Sequence, residues 1–373
     1  MTRILHVSKY YYPYVGGVED VCYNIVRFLQ SKGNYEQRVF CFNDQSNTVE
    51  DTYDGIPVTR VGVSKVISSQ PISFGYEKEL KRIIGDFQPD AVHFHAPNPL
   101  GAYQLLKVLP DSAKLVVHWH SDIVAQQILY NLIRPVESRL LQRADIIIAT
   151  SPEYLDYSKP LQPFTNKVEV LQNVIDPFKF EMNKMRQQQV EEIKTRYDGK
   201  PIVLFVGRHV LYKGLQYLVE AAREITSECA IIIGGKGPLT NDLQMAAKRL
   251  KNMHFVGRID ENELAAYFHA TDVFAFPSIT RNEAFGVALA EAMYCRTPAV
   301  TFTIKGSGVN WVNLNGKTGL EVENPNVKAF AGAVNSLLTD SSLWSNMATQ
   351  AKQRIEDLFL IDKISNKIEQ IYR

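Results

Sequence analysis

The sequence predicts an α/β protein built from two doubly wound, parallel-sheet domains. Three observations carry that expectation. Short apolar runs bounded by turns alternate with helical segments, as in successive βαβ units. The alternation is interrupted once, by a polar stretch rich in Gln, Lys and Glu from Phe178 to Lys200, and then resumes. At 373 residues the chain is also too long for one typical core and suits two.

In the first half, strands are expected at Ile4–Val7, Gln37–Phe42, Ala91–His95, Leu115–His118, Ile146–Thr150 and Val168–Leu171. Helices are expected between them at Val18–Ser31, Glu77–Phe87, Gly101–Leu109 and Ile123–Arg143. In the last of these, Leu129, Leu132, Ile133, Val136 and Leu140 recur at core spacing, opposite Arg134, Arg139 and Arg143. The second half offers strands at Ile202–Val206, Ala230–Ile233, His254–Val256, Val273–Phe276 and Ala299–Thr303. Its helices are expected at Leu215–Ile225, Thr240–Arg249, Glu261–His269, Phe285–Tyr294 and Val327–Leu338, with one or two more from Leu343 to Arg373. The domains implied are 1–176 and 201–355, with a linker over 177–200 and a C-terminal helix over 356–373.

Composition narrows the function. A formal net charge of +1 lacks the basic excess of a dedicated nucleic-acid binder. Cys22, Cys41, Cys229 and Cys295 show no C-x-x-C spacing and read as buried thiols of a reducing compartment. No apolar run approaches the ~20 residues needed to span a bilayer, so a cytoplasmic protein is expected, with membrane contact at most peripheral.

The most informative segment is Pro277 to Met293, which follows an apolar strand and places Glu283 and Glu291 around Phe285-Gly286-Val287. Continuous helix from Glu283 would separate the two carboxylates by roughly 12 Å. That span matches the two ends of a nucleotide-sugar, and backbone amides at a helix N-terminus favour a diphosphate between them. A surface glutamate and a helix glutamate without a ligand is the plain alternative. Arg208 and Lys213 stand five residues apart after the Ile202–Val206 run, a spacing that suits pyrophosphate oxygens. Gly16-Gly17 precede one expected helix, and Gly235 and Gly237 lie in a second glycine-rich turn. His-x-His occurs twice, at His93/His95 and His118/His120. Sheet alternation accounts for both pairs and no carboxylate completes a metal set, so no metal is expected.

These elements, in this order, resemble the retaining glycosyltransferases of family 4, whose fold is GT-B: two Rossmann-like, doubly wound domains facing a central cleft. The resemblance covers nearly the whole chain. It implies that Arg208 and Lys213 neutralise the departing nucleoside diphosphate, that Glu283 grips the sugar and that Glu291 holds the ribose. It further implies donor contacts from Gly16, Gly17, Gly235, Gly237, Arg258, Ile259, Phe285, Gly286 and Val287, and a hydrogen bond from His120 to the sugar. Tyr12, in the aromatic loop Tyr10–Tyr14, and Asp122 are candidate acceptor contacts. The donor implied is a GDP- or UDP-linked hexose with no further cofactor, and the acceptor a glycan or polyprenyl-diphosphate-linked oligosaccharide. A nucleotide-sugar epimerase of similar shape and a non-catalytic nucleotide-sugar scaffold are the rival readings. Two departures from the family pattern stand out. Arg296 replaces the usual glycine before Thr297-Pro298, and Gly306-Ser307-Gly308-Val309-Asn310-Trp311 replaces a Gly-Gly-x-x-Glu segment.

Overall fold

The computed structural model describes residues 1–14, 16–67, 70–123 and 127–373. They form two compact units, one of Met1–Val174 with Ile364–Arg373 and one of Ile175–Lys363.

The first unit is organised on an eight-stranded sheet. Its spatial order is Val168–Val170, Ile146–Ala149, Lys114–Trp119, Ala91–Ala96, Thr2–Val7, Tyr35–Phe42, Ile56–Val61 and Val49–Tyr53. All neighbours pair parallel except the last two strands, an antiparallel hairpin turned by Asp54 and Gly55 at positive φ. The Ala91–Ala96 strand is buried along its whole length, as a strand covered on both faces must be. The helix Gly17–Lys32 presents Val21, Cys22, Ile25, Val26 and Leu29 as its buried stripe and ends at Gly33 in the left-handed region. The helix expected over 123–143 is seen as Gln127–Arg143. Residues 124–126, and the Leu129 and Leu132 side chains expected in its core face, lie outside the described residues. Leu140 is buried as its spacing predicts. The last helix, Ile361–Tyr372, buries Ile364, Ile368, Ile371 and Tyr372, and the Tyr372 hydroxyl bonds His93 Nδ1 within the first unit.

The second unit has six parallel strands in the order Met253–Gly257, Ala230–Gly234, Ile202–Val206, Val273–Phe276, Ala299–Phe302 and Gly319–Val322. Numbered along this unit the order is 3-2-1-4-5-6, the doubly wound arrangement. The winding therefore reverses between Ile202–Val206 and Val273–Phe276, the place at which doubly wound folds hold their ligands. Residues 177–200, expected as a linker, are part of this unit. Asn183 caps the helix Lys184–Arg196, and Val190, Ile193 and Tyr197 pack into the core with Ile202 and Phe268. Three buried apolar residues at helical spacing outweigh the polar composition around them.

Arg296 has φ +66°, the left-handed conformation that the family's glycine would take without strain. Among the described residues its guanidinium hydrogen-bonds only Thr349 Oγ1, at 3.1 Å, an exposed contact. Replacing a side chain at such a φ with glycine removes a clash of roughly 1–2 kcal/mol, partly offset by about 0.5–1 kcal/mol of added unfolded-state freedom. Arg296→Gly should therefore stabilise the second unit by up to about 1 kcal/mol in urea denaturation. A loss of stability would show that the left-handed backbone conformation does not govern the energetics of this turn.

Candidate functional site

In the second unit, the loops after the two strands that flank the reversal interlock. Ile279 N–H donates to Tyr212 O at 2.9 Å. A Cβ on Gly214 (φ +65°) would stand 2.0 Å from Pro277 O, so only glycine permits this approach. Likewise, Gly235 has φ +117° and a Cβ there would meet Gly207 O at 1.9 Å. Gly237 lies against the His209 backbone, and Gly235 N–H donates to Gly257 O at 2.6 Å. The glycine-rich turn thus locks the Gly207–Gly214 loop in place.

This framework brings together Lys213 and Glu283, which are 70 residues apart in sequence. Lys213 Nζ forms a salt bridge with Glu283 Oε2, with side chains only 12% and 11% exposed. Ser278 Oγ donates to the same oxygen at 3.0 Å. Oε1 has no partner among the described residues. Lys213 Nζ also lies 5.0 Å from the centre of the Phe276 ring. Burial works against the lysine charge, but the Glu283 carboxylate more than offsets it and holds the Lys213 pKa above its ordinary value. Lys213 is therefore a charged donor at neutral pH. Arg208 is exposed at the mouth of the same loop.

Glu283 does not begin a helix. It lies in a turn, Glu283 N–H donating to Thr280 O at 3.0 Å, and the helix is Val287–Tyr294 with Gly286 as its N-cap at φ +90°. Glu291 is the fifth residue of that helix, so Val287 to Glu291 spans roughly 6 Å; the 12 Å of continuous helix expected from the sequence is not what is built. The turn is held from behind by the loop that departs from the family pattern. Ser307 Oγ donates to Glu283 O, Gly308 N–H donates to Ala284 O at 2.9 Å, and Trp311 packs edge-on against Phe285. Ser278 and Ser307 were not singled out from the sequence, where a serine after proline or between glycines reads as turn composition. The amides of Phe285, Gly286 and Val287 have no acceptor among the described residues. Arg258 is exposed, whereas Ile259 packs on the core beside Gly234.

The first unit carries the remaining candidates. His120 is buried just past the Lys114–Trp119 strand, its Nε2 2.9 Å from His95 Nδ1, and burial pushes its pKa down to about 3. It is a neutral imidazole in the physiological range. Asp122 accepts from Trp119 Nε1 at 2.8 Å and from Ser158 Oγ at 2.7 Å, both on Oδ1. These bonds fasten its loop to the sheet, so Asp122 acts structurally as well as being a candidate acceptor contact. Tyr12 is only 3% exposed; its hydroxyl bonds Asp20 and its ring stacks on Tyr23 at 4.2 Å. It belongs to the domain core, and the exposed tyrosine of that loop is Tyr14, stacked on Tyr10 at 4.3 Å. Gly16 caps the Gly17–Lys32 helix in extended conformation. Glu19 and Asp20 stand in the first turn of that helix and already face its positive end; this favours a hydroxyl-bearing ligand over an anion there. Val15 lies outside the described residues.

Comparison with known proteins agrees with the geometry. The family model described as Glycosyltransferase Family 4 matches residues 15–178, and that described as Glycosyl transferases group 1 matches residues 186–354. The chain is similar to O-antigen chain mannosyltransferase C of Escherichia coli, 30% identical over 99% of this chain and 98% of that protein. It is 31% identical to the D-rhamnosyltransferase WbpZ of Pseudomonas aeruginosa, over 96% of this chain and 92% of the relative. Among solved structures, Anabaena HepE in complex with UDP and glucose superposes with a TM-score of 0.80 at 18% identity, covering 99% of both chains.

Two measurements check the local electrostatics. Removing one partner of a buried ion pair strands the other, which costs about 3–5 kcal/mol. Lys213→Met should therefore destabilise the second unit more than the double variant Lys213→Met/Glu283→Gln, and additive losses would show that the pair is not coupled. In the first unit, burial lowers His6 from 6.5 to about 4 and His120 from 6.5 to about 3. The unfolded chain takes up these protons first, so stability present above pH 6.5 is lost as pH falls from there towards the folded values. The slope is about 1.4 kcal/mol per pH unit per histidine, and denaturation midpoints that do not change between about pH 7 and about pH 5 would contradict it.

Two loops interlocked by glycines at the strand reversal, the buried lysine–glutamate pair they bring together, and family models matching both halves lead to one assignment: the chain belongs to the glycosyltransferases of family 4, with the GT-B fold of two Rossmann-like units.

Proposed function

We propose that the protein is a retaining hexosyltransferase that moves a sugar from a nucleotide-sugar to a hydroxyl of a lipid-linked glycan in surface polysaccharide assembly. The observation that carries this is the Lys213–Glu283 pair at the strand reversal of the second unit, close in sequence to the amides of Phe285, Gly286 and Val287 that precede the Val287–Tyr294 helix. A diphosphate placed there would receive hydrogen bonds from those amides, charge from Lys213 and bidentate contacts from Arg208. Glu283 Oε1 is available to a sugar hydroxyl while Oε2 is occupied by Lys213 and Ser278. Glu291 is proposed to hold the ribose, and Gly235, Gly237, Arg258 and Ile259 to border the nucleotide. On the first unit, His120 offers a neutral imidazole, the group that the family resemblance assigns to the sugar.

In the transfer, the acceptor oxygen forms a bond to the anomeric carbon and the bond from that carbon to the diphosphate breaks. The hydroxyl proton passes to the departing phosphate oxygen. Attack from the face that the diphosphate leaves retains the anomeric configuration. The cations and amides supply the charge stabilisation, so no metal is assigned to this step. We favour mannose from GDP-mannose, because a relative matched over nearly its whole length is named an O-antigen chain mannosyltransferase. A UDP-hexose is the second reading, favoured by the UDP and glucose in the HepE complex. The acceptor proposed is a polyprenyl-diphosphate-linked oligosaccharide. No described helix is long and apolar enough to cross a membrane, so contact with the inner face of the cytoplasmic membrane would be peripheral.

The test is turnover with GDP-mannose and UDP-hexoses on a polyprenyl-diphosphate glycan, with the anomeric configuration of the product read by NMR. Retention in the presence of excess EDTA is expected. Glu283→Gln should abolish transfer, and the weakening of free nucleoside diphosphate binding that follows from the lost partner of Lys213 should stay below the roughly 10- to 100-fold loss expected of Glu291→Gln. Donor consumption without glycan product would favour the epimerase reading, and binding without turnover a scaffold.

A further inference from the structure

The first unit contains a second polar assembly that the transfer chemistry does not use. His6 pairs in register with His93, and His95 with His118. Residues two apart on a strand share a face, so His6, His93, His95 and His118 line one face of the sheet, where parallel strands ordinarily place Val, Ile and Leu. All four are no more than 1% exposed. Five of their ring nitrogens have no partner among the described residues: His6 Nδ1, His93 Nε2, His95 Nε2 and both nitrogens of His118. Leaving buried polar groups unpaired costs about 1–3 kcal/mol each, and protonation brings no relief because burial disfavours the charge.

The pattern of paired and unpaired atoms is specific. His93 engages the Tyr372 hydroxyl through Nδ1, and His95 engages His120 through Nδ1 at 2.9 Å. In both rings this leaves Nε2 as the unpartnered atom. A histidine that binds a metal shows the same division, one nitrogen on the ion and the other fixed by an outer hydrogen bond. Ligand atoms of His93, His95 and His118 lie within 4.8 Å of one another, as do those of His6, Cys22 and His95. The ring centres of the first trio are 4.5, 5.5 and 5.5 Å apart and the rings are stacked, with interplanar angles of 11°, 15° and 26°.

We propose that His93, His95 and His118 form a buried binding site for a divalent transition-metal ion of the zinc class. Three neutral imidazoles suffice as the protein ligands of such an ion without a carboxylate, with the fourth position open to water. Zinc–nitrogen bonds of about 2.0–2.1 Å place ligand nitrogens roughly 3.4 Å apart, so binding requires the stacked rings to turn their edges towards the ion. His6 and Cys22 form a second group that shares only His95 with this trio. The ion would have a structural role. Through His93 it would couple the sheet to Tyr372 on the last helix, and Lys213 and Glu283 take no part in it. The inference goes beyond the proposed transfer reaction and does not depend on it.

The experiment uses the full chain without an affinity tag, expressed in zinc- or cobalt-supplemented medium and analysed for metal after gel filtration. About one equivalent per chain is expected, with the ligand-field absorption of nitrogen-coordinated cobalt and a melting temperature above that of chelator-treated, refolded protein. His118→Gln and His95→Gln should each lower retained metal at least about tenfold, and His269→Gln, outside the cluster, should leave it unchanged. If a cluster variant fails to fold, the wild-type cobalt spectrum and melting shift decide alone. Wild-type protein with no retained metal and no melting shift on adding zinc or cobalt would overturn the proposal and leave water as the partner of these nitrogens. Full retention in His118→Gln would overturn it equally.

Discussion

The arrangement of the second unit depends on one ion pair. Lys213 and Glu283 meet where the strand order reverses, and each can be buried only because the other is there. The surrounding sequence serves that meeting. Gly214 lets its loop close onto Pro277 O, Ser278 takes the carboxylate from one side, and Ser307 and Gly308 hold its backbone from the other. The lysine stays charged because its partner outweighs the effect of burial. Under the proposed function, this buried cation and the amides of Phe285, Gly286 and Val287, which have no acceptor among the described residues, would be in place for a phosphate before any ligand arrives. Such preorganised charge is worth more in a partly desolvated site than in water.

The first unit handles its polar groups differently. Its carboxylate Asp122 is used to tie Trp119 and Ser158 together, and its histidines are kept neutral by burial. Glu137 is also buried, and burial, with a smaller contribution from the Asp122 charge against a hydrogen bond from Tyr130, pushes its pKa up to about 7.

Much of this was legible in the sequence because the strands next to the strand reversal are short, apolar and followed closely by turn residues. Ile202–Val206 and Val273–Phe276 were placed to the residue. The hairpin Val49–Tyr53 with Ile56–Val61 escaped because its outer strand, Val49-Glu50-Asp51-Thr52-Tyr53, is an exposed edge with polar residues at its centre. Its Asp54-Gly55 turn was the available signal. The start of the helix after Glu283 was misplaced because Ala284 and Phe285 read as helix, whereas the Ser307–Gly308 contacts hold them in a turn. Tyr12 read as a surface aromatic because the loop's tyrosines are indistinguishable until the packing of Tyr23 and Tyr53 around it is known. At Arg296 the missing family glycine left two possibilities, a strained residue or a different turn, and the positive φ shows the first.

The central claim is that the lysine–glutamate pair marks the seat of a nucleoside diphosphate. Titration calorimetry of GDP and UDP into the wild-type chain and Lys213→Gln tests it most directly, since free nucleotide needs neither acceptor nor turnover. Loss of a charge-assisted contact of about 1.5–3 kcal/mol should weaken binding of the preferred nucleotide by at least about tenfold. Equal affinities in the two proteins, with the variant folded, would contradict the account and place the diphosphate elsewhere.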